Sequence, residues 1–228
     1  MRVLRTCAGL AGLWLAASVV AVFTLRFVPP AASAVMLQDW LAARWSGDRT
    51  FAIHYRWTPW EKVSRQLPIA LVAAEDQKFP QHHGFDIDAI RSAIAEAEDG
   101  ARLRGASTIS QQVSKNLFLW NGRSFVRKGL EAWFTLLIET LWPKRRILET
   151  YLNIAEFGPG VYGAAAASER YFRTTPDRLD ATQASLLAAV LPNPAVLRVD
   201  RPSAAVQRRA AWVRRQMAQL GGEAYLPR

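Results

Sequence analysis

From Cys7 to Leu25 the chain runs nineteen residues without a charge, with Arg2 and Arg5 ahead of the run and Arg26 behind it. A hydrocarbon core needs roughly 17–25 residues of helix, so this segment is long enough to cross a bilayer. The short tail before it is basic, which holds residues 1–6 in the cytoplasm and exports the chain beyond the span. A cleaved signal peptide is the competing reading, because Ala32-Ser33-Ala34 resembles a small-residue cleavage site. The run is longer than the roughly 7–15 residues of a signal core, and Arg26 and two prolines separate it from that site. The sequence therefore predicts a retained, single-pass anchor over residues 7–28 and a folded domain over 36–222 outside the cytoplasm.

That address narrows the partner. The chain carries 29 basic and 19 acidic residues, a net charge of +10, which implies nucleic acid, anionic lipid headgroups or a phosphorylated substrate. Export argues against nucleic acid and for lipid phosphate. The single cysteine, Cys7, can form no internal disulfide and reads as a small apolar residue. Nine tryptophans suit a membrane-surface protein, although core packing accounts for most of them equally well.

Beyond the anchor, residues 50–57 alternate, with Phe51, Ile53, Tyr55 and Trp57 on one face, and predict one short strand. Nearly everything else reads as helix. Thr58-Pro59-Trp60-Glu61 has the N-cap, Pro at N1 and Glu at N3 of a helix start, and Pro68 opens the next helix, ending near Glu75-Asp76. Asp86 caps a helix over 87–98, and Thr108 with Gln111 forms a capping box after the loop at Gly105-Ala106. Residues 124–142 are the most periodic, with Leu130, Phe134, Leu137 and Leu141 along one stripe. A helix over 144–155 comes next, turning Ile147, Leu148, Tyr151 and Leu152 inward. Then come a glycine-rich turn over 156–163 and an alanine-rich helix to Phe172. Asp180 and Gln183 cap an apolar helix to Leu191, and a basic helix spans 202–220. The expectation is a mainly α, single-domain fold behind one transmembrane helix.

Two runs concentrate chemistry. In Glu75-Asp76-x-x-Phe79-x-x-His82-x-Gly84 a carboxylate ends an apolar helix. The negative end of the helix dipole and the apolar neighbours Leu71, Val72, Ala73 and Ala74 both disfavour its ionised form, so its pKa should rise, as suits a general base. Taken alone, a solvated helix-end Glu is the plainer reading. The second run, from Gly105 through Ser107, Thr108, Gln111, Gln112 and Lys115 to Asn116, packs hydroxyls, amides and a lysine together. Arg127, Lys128 and Glu131 sit at i, i+1 and i+4 and reach one side of a helix. A surface ion pair is the plain reading there. With Lys115 and Arg123 they could instead neutralise a pyrophosphate. His82-His83 lacks the spacing of a zinc site. The run Leu117-Phe118-Leu119-Trp120 reads equally as core or as a lip dipping into the bilayer. Arg208, Arg209, Arg214 and Arg215 read as a solvated face that touches anionic headgroups.

Together these motifs resemble those of the family 51 glycosyltransferases, the peptidoglycan transglycosylases, and within them the monofunctional biosynthetic branch of Gram-negative bacteria. Arg127-Lys128-x-x-Glu131, Ile147-Leu-Glu149-x-Tyr151-Leu-Asn153 with Gly158 to Gly163, and Leu187-Ala-Ala-Val-Leu-Pro-Asn-Pro194 continue the match in the family's order over roughly 36–222. The resemblance implies a lysozyme-like α-helical head lobe with a small membrane-dipping jaw. It implies a bacterial inner-membrane enzyme with its catalytic domain in the periplasm, polymerising lipid II into β-1,4-linked glycan with release of undecaprenyl pyrophosphate. Its partners would be lipid II, the growing glycan strand, membrane lipids and other cell-wall synthesis or division proteins, with no nucleic acid. Glu75 would be the general base on the acceptor's 4-hydroxyl. Lys115, Arg123, Arg127 and Lys128 would hold the diphosphate. Glu131 would aid departure directly or through a divalent cation (Mg2+ or Mn2+) at the pyrophosphate, with no tightly bound cofactor. Asp76, Phe79, His82, Ser107, Thr108, Gln111, Gln112 and Asn116 would bind substrate.

Two other readings compete. A lytic transglycosylase or lysozyme-type enzyme cuts the same polymer, but it needs no cationic diphosphate site. A membrane-anchored cell-wall scaffold needs no catalytic Glu. A second, penicillin-binding domain is not expected, because neither Ser-x-x-Lys nor Lys-Thr-Gly occurs.

Overall fold

Most helices around Glu75 begin where the chain supplies a cap. The computed structural model describes residues 2–98, 107–122 and 124–227; Gly105, Ala106 and Arg123 lie outside the described residues. Ser33 caps α2 (Ala34–Trp45), which comes after the long apolar α1 (Arg2–Leu25). Asp86 accepts the Ala89 N–H to start α4 (Ile87–Glu98). Thr108 and Gln111 exchange hydrogen bonds in the expected box at the start of α5 (Ile109–Phe118). Ser124 caps α6 (Phe125–Leu141), Asp180 caps α9 (Ala181–Val190) and Ser203 caps α10 (Ala204–Gln219). Each cap satisfies an amide that the helix itself leaves unpaired.

The helix carrying Glu75, α3 (Gln66–Glu75), is buried from Leu67 through Ala73. A helix apolar on every side belongs in a core. It packs against α7 (Lys144–Ile154), α9 and α10. The mainly α reading stands, with the inward stripe of α7 as expected: Ile147, Leu148, Tyr151 and Leu152 are all buried.

Four local expectations change. The segment at Thr58 forms only a 3-10 turn, Trp60–Lys62. The amides meant to start a helix there are taken by α7: Thr58 N–H donates to Asn153 Oδ1 at 2.7 Å and Trp60 N–H to Glu149 Oε1 at 2.8 Å. The strand over 50–57 shrinks to β1 (His54–Tyr55), although Phe51, Ile53, Tyr55 and Trp57 are more buried than the residues between them. The glycine-rich turn is a hairpin of β2 (Glu156–Gly158) and β3 (Val161–Tyr162), with β3 also pairing parallel to β1. Past it, α8 (Gly163–Ala167) gives way to a π turn over Ser168–Phe172. Gly163 is required at the hairpin's exit. Its φ is +79°, and an added Cβ would lie 2.3 Å from the Asn153 carbonyl oxygen.

The apolar segment Arg5–Leu25 has a mean hydropathy of 2.0. It leans along α6: the Trp14 ring meets Phe134 edge-on at 6.2 Å, and Trp133 Nε1 donates to Ser18 Oγ at 3.1 Å. At the far end Trp142 Nε1 donates to the Val22 carbonyl at 2.8 Å, and Arg146 donates to the carbonyls of Leu25 and Val28. This apolar helix, long enough to cross a membrane, is thus fastened to the helix that carries Arg127, Lys128 and Glu131.

Candidate active site

Glu75 ends α3 with its side chain 15% exposed. Gln112, on the second turn of α5, donates from Nε2 to Glu75 Oε2 at 3.0 Å, and its own Oε1 accepts from Tyr151 Oη at 2.9 Å. Arg209 of α10 places Nη2 3.4 Å from Glu75 Oε1. Burial pushes the Glu75 carboxyl above the usual range; the Gln112 amide and Arg209 oppose that rise, and the neighbouring Asp76 adds to it. The result is a carboxylate poor in water but held in place, as a base needs.

The rest of the first motif lies behind Glu75: Asp76, Phe79 and His82, expected to bind substrate, are not among the residues that line the cavity Glu75 faces. Phe79 is fully buried. Asp76, its side chain 3% exposed, accepts the Ile109 N–H at 2.9 Å and faces His82 Nε2 at 2.9 Å. Because Gly84 N–H donates to His82 Nδ1 at 3.1 Å, the ring proton sits on Nε2 and points at Asp76. Thr108 is also removed from the wall: it is buried, caps α5 and donates to the Gly84 carbonyl at 2.6 Å. These four residues tie the end of α3 to the start of α5, and so set Gln112 beside Glu75.

The cationic group faces the same space. A cavity of about 590 Å³ is lined by Glu75, Gln112 and Arg209 together with Lys115, Arg127, Lys128 and Glu131; Ser107, Gln111, Ala74, Leu191 and Pro192 complete its wall. Glu131 is buried and bonds Arg127 Nη1 at 2.6 Å and the Lys128 ammonium. Lys115 makes no ion pair among the described residues. Burial lowers its pKa, and Glu131 pulls it back up. Among the described residues, Arg127 Nε and Arg209 Nε are buried without a hydrogen-bond partner. A side recess of about 220 Å³ shares Gln112 and Lys115 and adds Asn116, Tyr151, Glu156 and Tyr162.

Size does not pick the site. A recess of about 760 Å³ beside β1 has Arg56, Arg170 and Arg173 but only the exposed Glu169, which pairs with Arg56 at 3.6 Å. No water-poor carboxylate faces it. Sequence reasoning missed Arg209, assigned to a solvated face, and the Leu191-Pro192 wall. The signal was present: Val206, Ala210, Val213 and Met217 form the buried stripe of α10, and Arg209 borders it. Arg208 and Arg215 are exposed as expected, while Arg214 donates to Ser185 Oγ at 2.9 Å.

Residues 47–218 match the family model described as Transglycosylase. The chain belongs to the transglycosylase family. It is 55% identical over 215 residues to the biosynthetic peptidoglycan transglycosylase of Xanthomonas oryzae pv. oryzae, covering 94% of this chain and 88% of the relative. It is 56% identical over 211 residues to the protein of the same name in Pseudomonas fluorescens, covering 92% and 88%. Membership of the transglycosylase family makes the chain a glycosyltransferase enzyme, and the matched span holds both Glu75 and the cations that share its cavity.

Whether a resident metal fits can be read from the donors. Among the described residues no three His, Cys, Asp or Glu side chains gather as a metal site. Glu131 already has two cations as partners.

Proposed function

We propose that this transglycosylase polymerises lipid II on the outer face of the bacterial inner membrane, with its N-terminus in the cytoplasm and its catalytic domain in the periplasm. Glu75 takes the proton from the 4-hydroxyl of the acceptor sugar as that oxygen attacks the anomeric carbon of the donor. The new C–O bond forms with inversion, and the bond to the diphosphate breaks with its electron pair leaving on undecaprenyl pyrophosphate. Lys115, Arg127 and Lys128 receive the diphosphate charge; Glu131 keeps Arg127 and Lys128 directed at it. A diphosphate leaves as a stabilised anion and needs little protonation, so no dedicated acid is required, unlike in glycoside hydrolysis.

The observation that carries this reading is the shared cavity: a poorly hydrated carboxylate and four cations, Lys115, Arg127, Lys128 and Arg209, line one space of about 590 Å³. The Nε groups of Arg127 and Arg209, without a partner among the described residues, add donors for ligand oxygens. The test is to incubate the purified full chain with lipid II, with and without chelator, and separately with finished sacculi. Glycan from lipid II that persists under chelation is expected. Product from sacculi alone would overturn the reading in favour of a lytic enzyme.

A further inference from the structure

The helix just past the anchor has two different faces. Inward, Val35 and Met36 are buried, Gln38 donates to the Leu119 carbonyl at 2.8 Å and accepts the Asn121 N–H at 2.9 Å, and Asp39 holds the Tyr162 hydroxyl. Outward, Leu37, Trp40, Leu41 and Trp45 are 55%, 41%, 58% and 95% exposed. Leu37, Leu41 and Trp45 recur every four residues and Trp40 lies three past Leu37, which places these side chains along one stripe of α2. A soluble surface scatters its exposed apolar groups and does not align them. Arg44 sits within the stripe, its guanidinium 5.4 Å from the Trp40 ring centroid. A long cationic side chain among apolar ones can reach up to phosphate while its stem stays in the apolar layer. The helix starts at Ala34, nine positions past the end of α1 at Leu25, and lies upstream of the residues matched to the family.

We propose that the outer face of α2 lies in the plane of the bilayer, at the boundary between headgroups and acyl chains, as a second membrane contact beside the span. Continuity with the anchor and the mixture of Trp, Leu and Arg identify the occupant as lipid. The inner face of the same helix walls the side recess: Val35 lines it together with Lys115. Lipid and cleft are then two sides of one helix, which sets the height of the cleft above the membrane.

The inference rests on α1 spanning a bilayer and not on catalysis, so its test uses no turnover. Nitroxide labels are placed at Leu41→Cys and Trp45→Cys in a Cys7→Ala background, with Gln219→Cys at the exposed end of α10 as the control, in full-length protein reconstituted into phosphatidylglycerol–phosphatidylethanolamine vesicles. Accessibility to a water-soluble nickel complex and to oxygen is then measured. Labels at 41 and 45 should show several-fold lower nickel accessibility than the control, with oxygen accessibility raised. Nickel accessibility equal to the control would overturn the proposal. So would labels shielded from both reagents with spin–spin broadening that disappears on dilution with unlabelled protein, since that assigns the face to a second copy.

Discussion

Arg209 Nη2 lies 3.4 Å from Glu75 Oε1, across 134 residues of sequence. It is the cation nearest the carboxylate, and its guanidinium favours the ionised form that accepts a proton. Glu75 must be ionised to act, so activity rises with pH through its pKa. Removing Arg209 takes away one of the influences holding that pKa down. Arg209→Ala should therefore move the acidic limb of the kcat/KM–pH profile to higher pH, and Arg209→Lys should restore part of the shift. An unchanged profile would remove Arg209 from the account.

Gln112 can serve Glu75 only if its amide is oriented, and the Tyr151 hydroxyl orients it by donating to Oε1. A buried hydrogen bond of this kind contributes roughly 0.5–1.5 kcal/mol. Tyr151→Phe should lower kcat modestly with KM nearly unchanged, while Gln112→Ala should lower kcat further. Steady-state kinetics on lipid II separates the two effects.

Glu131 links two cations of unequal burial: the Arg127 side chain is 12% exposed and that of Lys128 50%. Removing the carboxylate leaves Arg127 charged, enclosed and unpaired, a change that costs about 3–5 kcal/mol in buried pairs. Glu131→Gln should lower Tm clearly. Lys128→Ala, which removes the half-exposed partner, should barely change it. Thermal denaturation of both variants checks the contrast.

How far the sequence reaches depends on whether a feature is local. The raised pKa of Glu75 was legible, because an apolar helix ending in a carboxylate carries its own solvent exclusion. Capping boxes at Thr108 and Asp180 were legible for the same reason. Spacing told that Asp76 and His82 lie near Glu75, but not that they turn away from the cleft; the cause is Asp76 accepting an amide of α5. The failed helix at Thr58 and the missed Arg209 share an origin. Each is decided by a distant helix, α7 in one case and α10 on α3 in the other, and no local pattern records which turn will face which group.

Burial that raises the pKa of Glu75 also sets a stability cost. A carboxyl whose folded pKa exceeds its unfolded value binds protons more readily when folded, so its contribution worsens as pH rises through that range. Glu75→Gln should thus have a higher Tm than the parent chain near neutral pH, with the gap closing once the pH falls below the ordinary carboxylate range. Paired melting curves across pH test this; a less stable Glu75→Gln at neutral pH would contradict the burial argument.

The most direct test of the central claim is the initial rate of lipid II polymerisation by Glu75→Gln against the parent chain at saturating substrate, with folding of both checked by thermal denaturation. Gln keeps the shape and cannot accept the proton, so the rate should fall by about 10²–10⁴-fold, the usual contribution of a positioned general base. A folded Glu75→Gln that polymerises within a few-fold of the parent rate would contradict the account.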